Sequence, residues 1–164
     1  MRTILSAIVL LALAVPAAAQ QSIFVVRHAE RADAAPGASA MMDSDPDLSA
    51  AGKARAQSLA SMLKDAKITA IYTTRYKRTK QTAEPLAAAL GLEPTVVDPR
   101  DVAGLAEKLK AGGNALVVGH SNTVGTIIEA LGVTDPVELS EADYDNLFVI
   151  VRGEKPALVR LHFR

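Results

Sequence analysis

Phe24-Val25-Val26-Arg27-His28-Ala29-Glu30-Arg31 decides the fold. Three apolar residues run directly into Arg-His-x-x-Arg. The apolar run reads as a buried strand, and the residues after it read as polar loop. Two guanidiniums and an imidazole therefore emerge at the C-terminal end of a central strand. Open α/β sheets bind their ligands there. Forked guanidinium donors suit a dianionic phosphate, and an imidazole beside them is a candidate nucleophile.

Working outward, the same alternation recurs. Residues 22–26 form the first expected strand, short and continuous in apolar character. Residues 32–47 are rich in Ala, Gly, Pro, Ser and Asp and lack a period, so they read as a surface loop that either covers a site or is a tolerated excursion. A helix follows to about Lys64, with Ser49 as N-cap, Gly52 in its first turn and Ala56, Leu59 and Leu63 on one apolar face. Residues 68–72 form a second strand, and Arg78 opens a helix that reaches Leu90 with Gly91 beyond its end. Pro85 lies inside that helix, which predicts a kink or two short segments.

Residues 95–97 and 115–118 read as further strands, separated by a helix over 101–110. Gly119-His120-Ser121-Asn122-Thr123 leaves the second of these strands. It opens a helix with Val124, Ile127, Ile128 and Leu131 on one face, capped at Asn122 or Thr123 and closed by Gly132. Residues 148–152 and 157–163 form an antiparallel hairpin at a sheet edge. The pattern predicts an α/β fold, a three-layer α/β/α sandwich with a mostly parallel central sheet and an antiparallel edge.

The chain has 164 residues, enough for one domain with a core. Its formal net charge is zero, so the whole chain is not a polyanion binder and no nucleic acid is expected as partner. It contains no Cys, which excludes thiolate catalysis, Cys-ligated zinc and disulfides. Residues 1–19 read as a signal peptide: Arg2 supplies the positive start, residues 4–15 the apolar run, and Ala17-Ala18-Ala19 the cleavage site. The alternative is a retained anchor helix, although the apolar run falls short of the roughly 20 residues that span a bilayer. A periplasmic or secreted protein, with no stable membrane insertion after cleavage, is the expectation.

Cations collect at matching strand ends: Arg27, His28 and Arg31 after the first strand, Arg78 after the second, His120 after the fourth. In a parallel sheet these ends share one edge. No comparable set of carboxylates gathers, so no metal and no cofactor is expected. A lone His or Arg is most simply a surface or structural group, but five at matching positions are not explained that way. His162 stands apart and reads as structural.

Arg27-His28-Ala29-Glu30-Arg31 resembles the Arg-His-Gly motif of the histidine phosphatase (phosphoglycerate mutase-like) superfamily. Leu48-Ser49-Ala50-Ala51-Gly52 resembles its Leu-Thr-x-x-Gly segment, Arg78-Thr79-Lys80-Gln81-Thr82-Ala83 its Arg-x-x-Gln-Thr-Ala segment, and Val118-Gly119-His120-Ser121 its second-histidine motif. The four occur in the family's order across residues 20–164, which would then be a single histidine phosphatase domain.

The resemblance implies a metal-independent phosphatase acting on phosphate monoesters or a phosphorylated protein side chain. His28 would carry a phosphohistidine, and Arg27, Arg31, Arg78 and His120 would hold the phosphoryl oxygens. Ala29 replaces the usual Gly, and the proton donor is not placed: Asp98, Asp101 and Glu30 are the candidates, with Asp101 also suited to cap a helix. A chain without a strong acid favours good leaving groups, such as phosphohistidine or aryl phosphates. The alternatives are a non-catalytic phosphate-binding module and a phosphomutase; so short a chain has little material for the closed lid of a mutase. The partner is a small phosphorylated substrate or a phosphoprotein, with specificity expected from the 32–47 loop and the 135–146 segment. There, Asp143-Tyr144-Asp145 faces either the site or solvent. The oligomeric state is not legible.

Overall fold

In the computed structural model, which describes residues 21–33 and 45–163, the apolar runs become strands. They are β1 (Ser22–Arg27), β2 (Ile68–Thr73), β3 (Thr95–Val96), β4 (Asn114–Gly119), β5 (Asn146–Val151) and β6 (Ala157–His162). Between them lie helices α1 (Ala50–Leu63), α2 (Lys77–Leu90), α3 (Val102–Ala111) and α4 (Ser121–Ala130). The expected signal peptide and the middle of the 32–47 loop fall outside the described residues.

One six-stranded sheet has the order β3-β2-β4-β1-β5-β6. β1 to β4 run parallel, and β5 and β6 add the antiparallel edge. Side chains of successive strand residues point to opposite faces, and the helices divide accordingly. Val26, Leu116 and Val118 pack with Leu59 and Leu63 of α1 and Ala83 and Leu86 of α2. Val25 and Val117 pack with Leu105 and Leu109 of α3 and Val124, Ile127 and Ile128 of α4. β1 and β4 are buried on both faces, which is why they read as unbroken apolar runs. This is the expected α/β/α sandwich.

The helix ends are set by local chemistry. Ser49 Oγ accepts from Gly52 N at 3.0 Å and caps α1. Asp101 Oδ1 accepts from Gly104 N at 2.9 Å and caps α3. Gly91, at φ 65°, ends α2 in the left-handed region that glycine tolerates. One alternative is removed and one expectation is corrected. Of the kink or two segments expected at Pro85, the two segments are removed, because α2 runs through it as one helix. Proline forgoes a single intrahelical bond, and Thr82, Ala83, Leu86 and Ala87 on either side remain buried and hold the helix on the sheet. α4 begins at Ser121 with His120 as N-cap, not at Asn122 or Thr123. The hydroxyl of Thr123 instead reaches back to accept from His120 N at 3.0 Å. Among the described residues no helix is long and apolar enough to cross a membrane.

Candidate active site

β1 and β4 are neighbours in register, with Arg27 opposite Gly119. The residues that follow each, His28 and His120, therefore stand side by side, and His28 N donates to Gly119 O at 2.9 Å. Their rings meet edge to face, with centroids 5.4 Å apart. From β1 the chain crosses to β2 on one side, and from β4 to β5 on the other, so the pair occupies a crevice where the sheet's winding reverses. α2 brings Arg78 in its first turn. All five sequence-selected residues are buried: Arg27 at 4%, His28 at 4%, Arg31 at 6%, Arg78 at 3% and His120 at 7% exposure. Burial at this level is uncommon for arginine and demands partners.

The partners differ from residue to residue. His28 Nδ1 lies 2.8 Å from Ala29 O. A carbonyl only accepts, so Nδ1 carries the proton and Nε2 keeps a free lone pair. Burial, with Arg27, His120 and Arg78 nearby, pushes the His28 pKa down to about 3 despite that bond. Arg78 Nη2 donates to His120 Nδ1 at 3.4 Å, which leaves the proton on Nε2 to be donated to Thr74 Oγ1 at 3.1 Å. Thr74 in turn meets Thr79 Oγ1 at 3.0 Å, and that hydroxyl donates to Tyr76 O at 2.9 Å. Burial, Arg78 and Arg27 push the His120 pKa down to about 4. Both imidazoles are neutral at neutral pH.

Arg78 lies over the Tyr76 ring at 4.3 Å, and its Nε and Nη1 are buried without a partner. Its pKa is lowered by burial and by Arg31. A buried guanidinium with two unused N–H groups is built to receive an anion. Arg27 is different. Its Nη1 donates to Ser140 O at 2.9 Å and its Nη2 to Glu141 Oε2 at 2.6 Å, while its guanidinium stacks on Tyr144 at 4.2 Å. Only its Nε is buried and unpartnered. Arg31 grips Asp33 with Nε and Nη2, at 2.9 and 2.6 Å.

The structure sorts the acid candidates. Asp101 is the cap of α3. Glu30 is gripped by Arg55 Nε and Nη2, the shortest bond being 2.6 Å. Asp98 lines a cleft of about 400 Å³ beside His120, although its Oδ1 accepts from Arg100 N at 2.9 Å. Glu141 was missed by sequence reasoning. Its Oε1 accepts from Ser121 Oγ at 2.7 Å while Oε2 holds Arg27. Nothing in its aperiodic segment sets it apart from other surface acids. Tyr144 faces the site, 6.2 Å from the His28 ring, whereas Asp143 accepts from Ser140 N at 2.7 Å. His162, at the outer edge, lies 3.2 Å from Asp145. Among the described residues no three His, Asp or Glu side chains gather as a metal site would require.

The remaining residues of the sequence segments have mechanical duties. Thr82 Oγ1 accepts from Ala29 N at 2.9 Å and Gln81 Oε1 from Leu48 N at 2.8 Å, tying α2 to the loop after His28. The Ala29 methyl, where glycine was the family expectation, is buried with Leu48 and Ala56.

The family model for the histidine phosphatase superfamily, branch 1, matches residues 23–107, just over half of the chain. The chain belongs to that superfamily. Among solved structures it is similar to the protein histidine phosphatase SixA in complex with tungstate, with a TM-score of 0.64 and 21% identity over 86% of this chain and 96% of that one. It is also similar to the native mycobacterial glucosyl-3-phosphoglycerate phosphatase, with a TM-score of 0.67 and 13% identity over 87% and 98%. At these identities the likeness establishes the phosphoglycerate mutase-like fold alone. No curated protein sequence matches the chain significantly. The family match ends before His120, so that residue enters the site on geometry.

Proposed function

We propose that this chain is a phosphatase that hydrolyses phosphate monoesters, or a phosphorylated protein side chain, through a phosphohistidine on His28. The observation that carries the reading is the His28 ring. Its Nδ1–H is tied to Ala29 O, and its free Nε2 belongs to a buried group containing Arg27, Arg78 and His120.

In the first step the Nε2 lone pair bonds to phosphorus as the bond to the leaving oxygen breaks, and that oxygen departs as an oxyanion that takes its proton from solvent. Arg78 Nε and Nη1 and Arg27 Nε are the buried donors available to the equatorial oxygens. Preorganised donors of this kind are most of what phosphoryl transfer asks of a protein. In the second step water bonds to phosphorus and releases a proton to solvent, the P–Nε2 bond breaks, and its electron pair returns to His28. The cations supply the charge stabilisation that a metal gives elsewhere. Glu30 and Asp101 are engaged structurally, while Asp98 lines the cleft with one oxygen held by the Arg100 amide. The loss of two of the three candidate acids supports substrates whose leaving groups need little protonation, and equal chemical-step rates on alkyl and aryl phosphates would argue against this. The sequence of residues 1–19 supports export to the periplasm or beyond.

The test is hydrolysis of an aryl phosphate in the presence of a chelator. His28→Ala is expected to abolish turnover, and the wild-type chain to yield an acid-labile phosphoenzyme on rapid quench. Unchanged turnover in the variant would remove His28 as nucleophile. Binding of phosphate without any phosphoenzyme would mark a binding module instead.

A further inference from the structure

We propose that the leaving group of the substrate is a small molecule with a second negative charge, held by Arg75 and Arg100. This rests on the phosphatase reading above and concerns a different part of the site. The cleft beside His120 is about 400 Å³, a size that suits a small molecule. It opens from the wall of the phosphoryl pocket, because His120 lines both.

Tyr76 forms the partition. Its ring packs edge-on against His120 at 5.4 Å and carries Arg78 at 4.3 Å. Arg75 lies 5.1 Å from the same ring and donates Nη2 to the Tyr76 hydroxyl at 3.2 Å, so its guanidinium is fixed beside the cleft. Arg100 lines the same cleft from the turn after β3, where its backbone N–H is held by Asp98. Among the described residues neither guanidinium is ion-paired with a carboxylate. Asp98 is the single acid in the lining, and one of its oxygens is engaged by the Arg100 amide. Between the charges, Val96, Val97 and Pro99 offer apolar wall, and Val96 is 51% exposed.

The charges around the phosphoryl pocket are unequal. On the β5 side stands Glu141, whose carboxylate is largely exposed and bound to Arg27. On the β2–β3 side the cleft lining holds two arginines against one carboxylate, Asp98. A leaving group carrying its own anion is repelled by the first wall and attracted by the second. Its carbon skeleton then lies along Val96 and Val97.

The experiment compares 4-carboxyphenyl phosphate with 4-carbamoylphenyl phosphate, which share shape and differ in one charge. Wild type is expected to favour the carboxylate by about tenfold in kcat/KM at low salt, fading as ionic strength rises, as for exposed charge pairs. The carbamoyl phenol is intrinsically the better leaving group, so the ratio is read against the double variant R75Q/R100Q, in which it is expected to fall about tenfold. An unchanged ratio in the double variant overturns the proposal while leaving the phosphatase reading intact. Hydrolysis of neither substrate overturns the proposal, and if rapid quench also yields no phosphoenzyme the phosphatase reading falls with it.

Discussion

Among the described residues Arg78 is a buried cation without an ion pair, with Asp45 and Asp33 acting on it only from a distance. Its Nε and Nη1 lack partners at 3% exposure. An uncompensated buried charge is destabilising until an anion arrives. Arg78→Met is therefore expected to stabilise the free chain by ~1 kcal/mol, or about 3 °C in Tm. The same change should cost on the order of 10²–10³-fold in kcat, the range for removing one preorganised donor. Thermal unfolding with and without inorganic phosphate tests both halves. Wild type should gain Tm with phosphate by mass action, and the variant should not. A variant that is less stable in the absence of phosphate would show that Arg78 is a structural residue. Arg78 was legible in the sequence because a guanidinium at a strand's exit is easy to see. Thr74 and Thr79, which fix the tautomer of His120, were not. Hydroxyls are too common for position alone to single them out.

At the scale of elements, α1 meets the loop after His28 through one glycine. A Cβ on Gly52 would stand 2.2 Å from Glu30 O and 3.0 Å from Glu30 N. Both are backbone atoms, so the clash is relieved only by moving the segment between His28 and Arg31 or lifting the helix. Overpacking of this kind costs about 1–3 kcal/mol. Displacing a reacting group by about 1 Å can cost on the order of a hundredfold in rate. Gly52→Ala is thus expected to lower the urea midpoint and to reduce kcat at least tenfold. Full activity at a lowered midpoint would uncouple α1 from the site. The sequence places Gly52 in the first turn of the helix, and only the packing shows the close backbone approach that requires it. At α4 the sequence pointed to Asn122 or Thr123 as cap because such residues usually serve there. His120 takes the place because β4 delivers it to the helix start, and Thr123 supports it from N3. Position at the end of a strand overrode a statistical preference. Glu141 was illegible for a related reason. Its importance comes from Arg27 and Ser121, which lie far from it in the chain.

For the molecule as a whole, the sandwich was legible because strands and helices alternate with clear periods. What the alternation did not give was the strand order. Only the adjacency of β1 and β4 brings His28 and His120 to 5.4 Å. That adjacency also sets how the whole chain responds to acid. In the unfolded chain both histidines titrate near 6.5, whereas in the fold they titrate at about 3 and about 4, chiefly because they are buried. Below pH 6.5 the unfolded chain therefore binds more protons than the native one, and stability falls as pH falls until the folded pKa values are reached. With both histidines contributing fully, the slope is about 2.7 kcal/mol per pH unit. Against a total stability of roughly 5–15 kcal/mol, the chain should unfold cooperatively between about pH 4 and 5. Three carboxylates act in the same direction. Glu141 is held below its usual range by the Ser121 hydroxyl and Arg27, and Asp143 by Ser140. Burial of Glu30 opposes ionisation, but Arg55 outweighs it. Their contribution is lost as pH falls from their ordinary values, 4.5 for the two Glu and 3.8 for Asp143, towards the lower folded ones, so they do not account for losses between pH 6.5 and 5. Urea midpoints measured across that interval isolate the histidines. The double variant H28N/H120N, whose side chains remain neutral, should lose most of the slope there. An unchanged slope in that variant would place the acid sensitivity elsewhere and show that the two imidazoles are not held neutral by the fold.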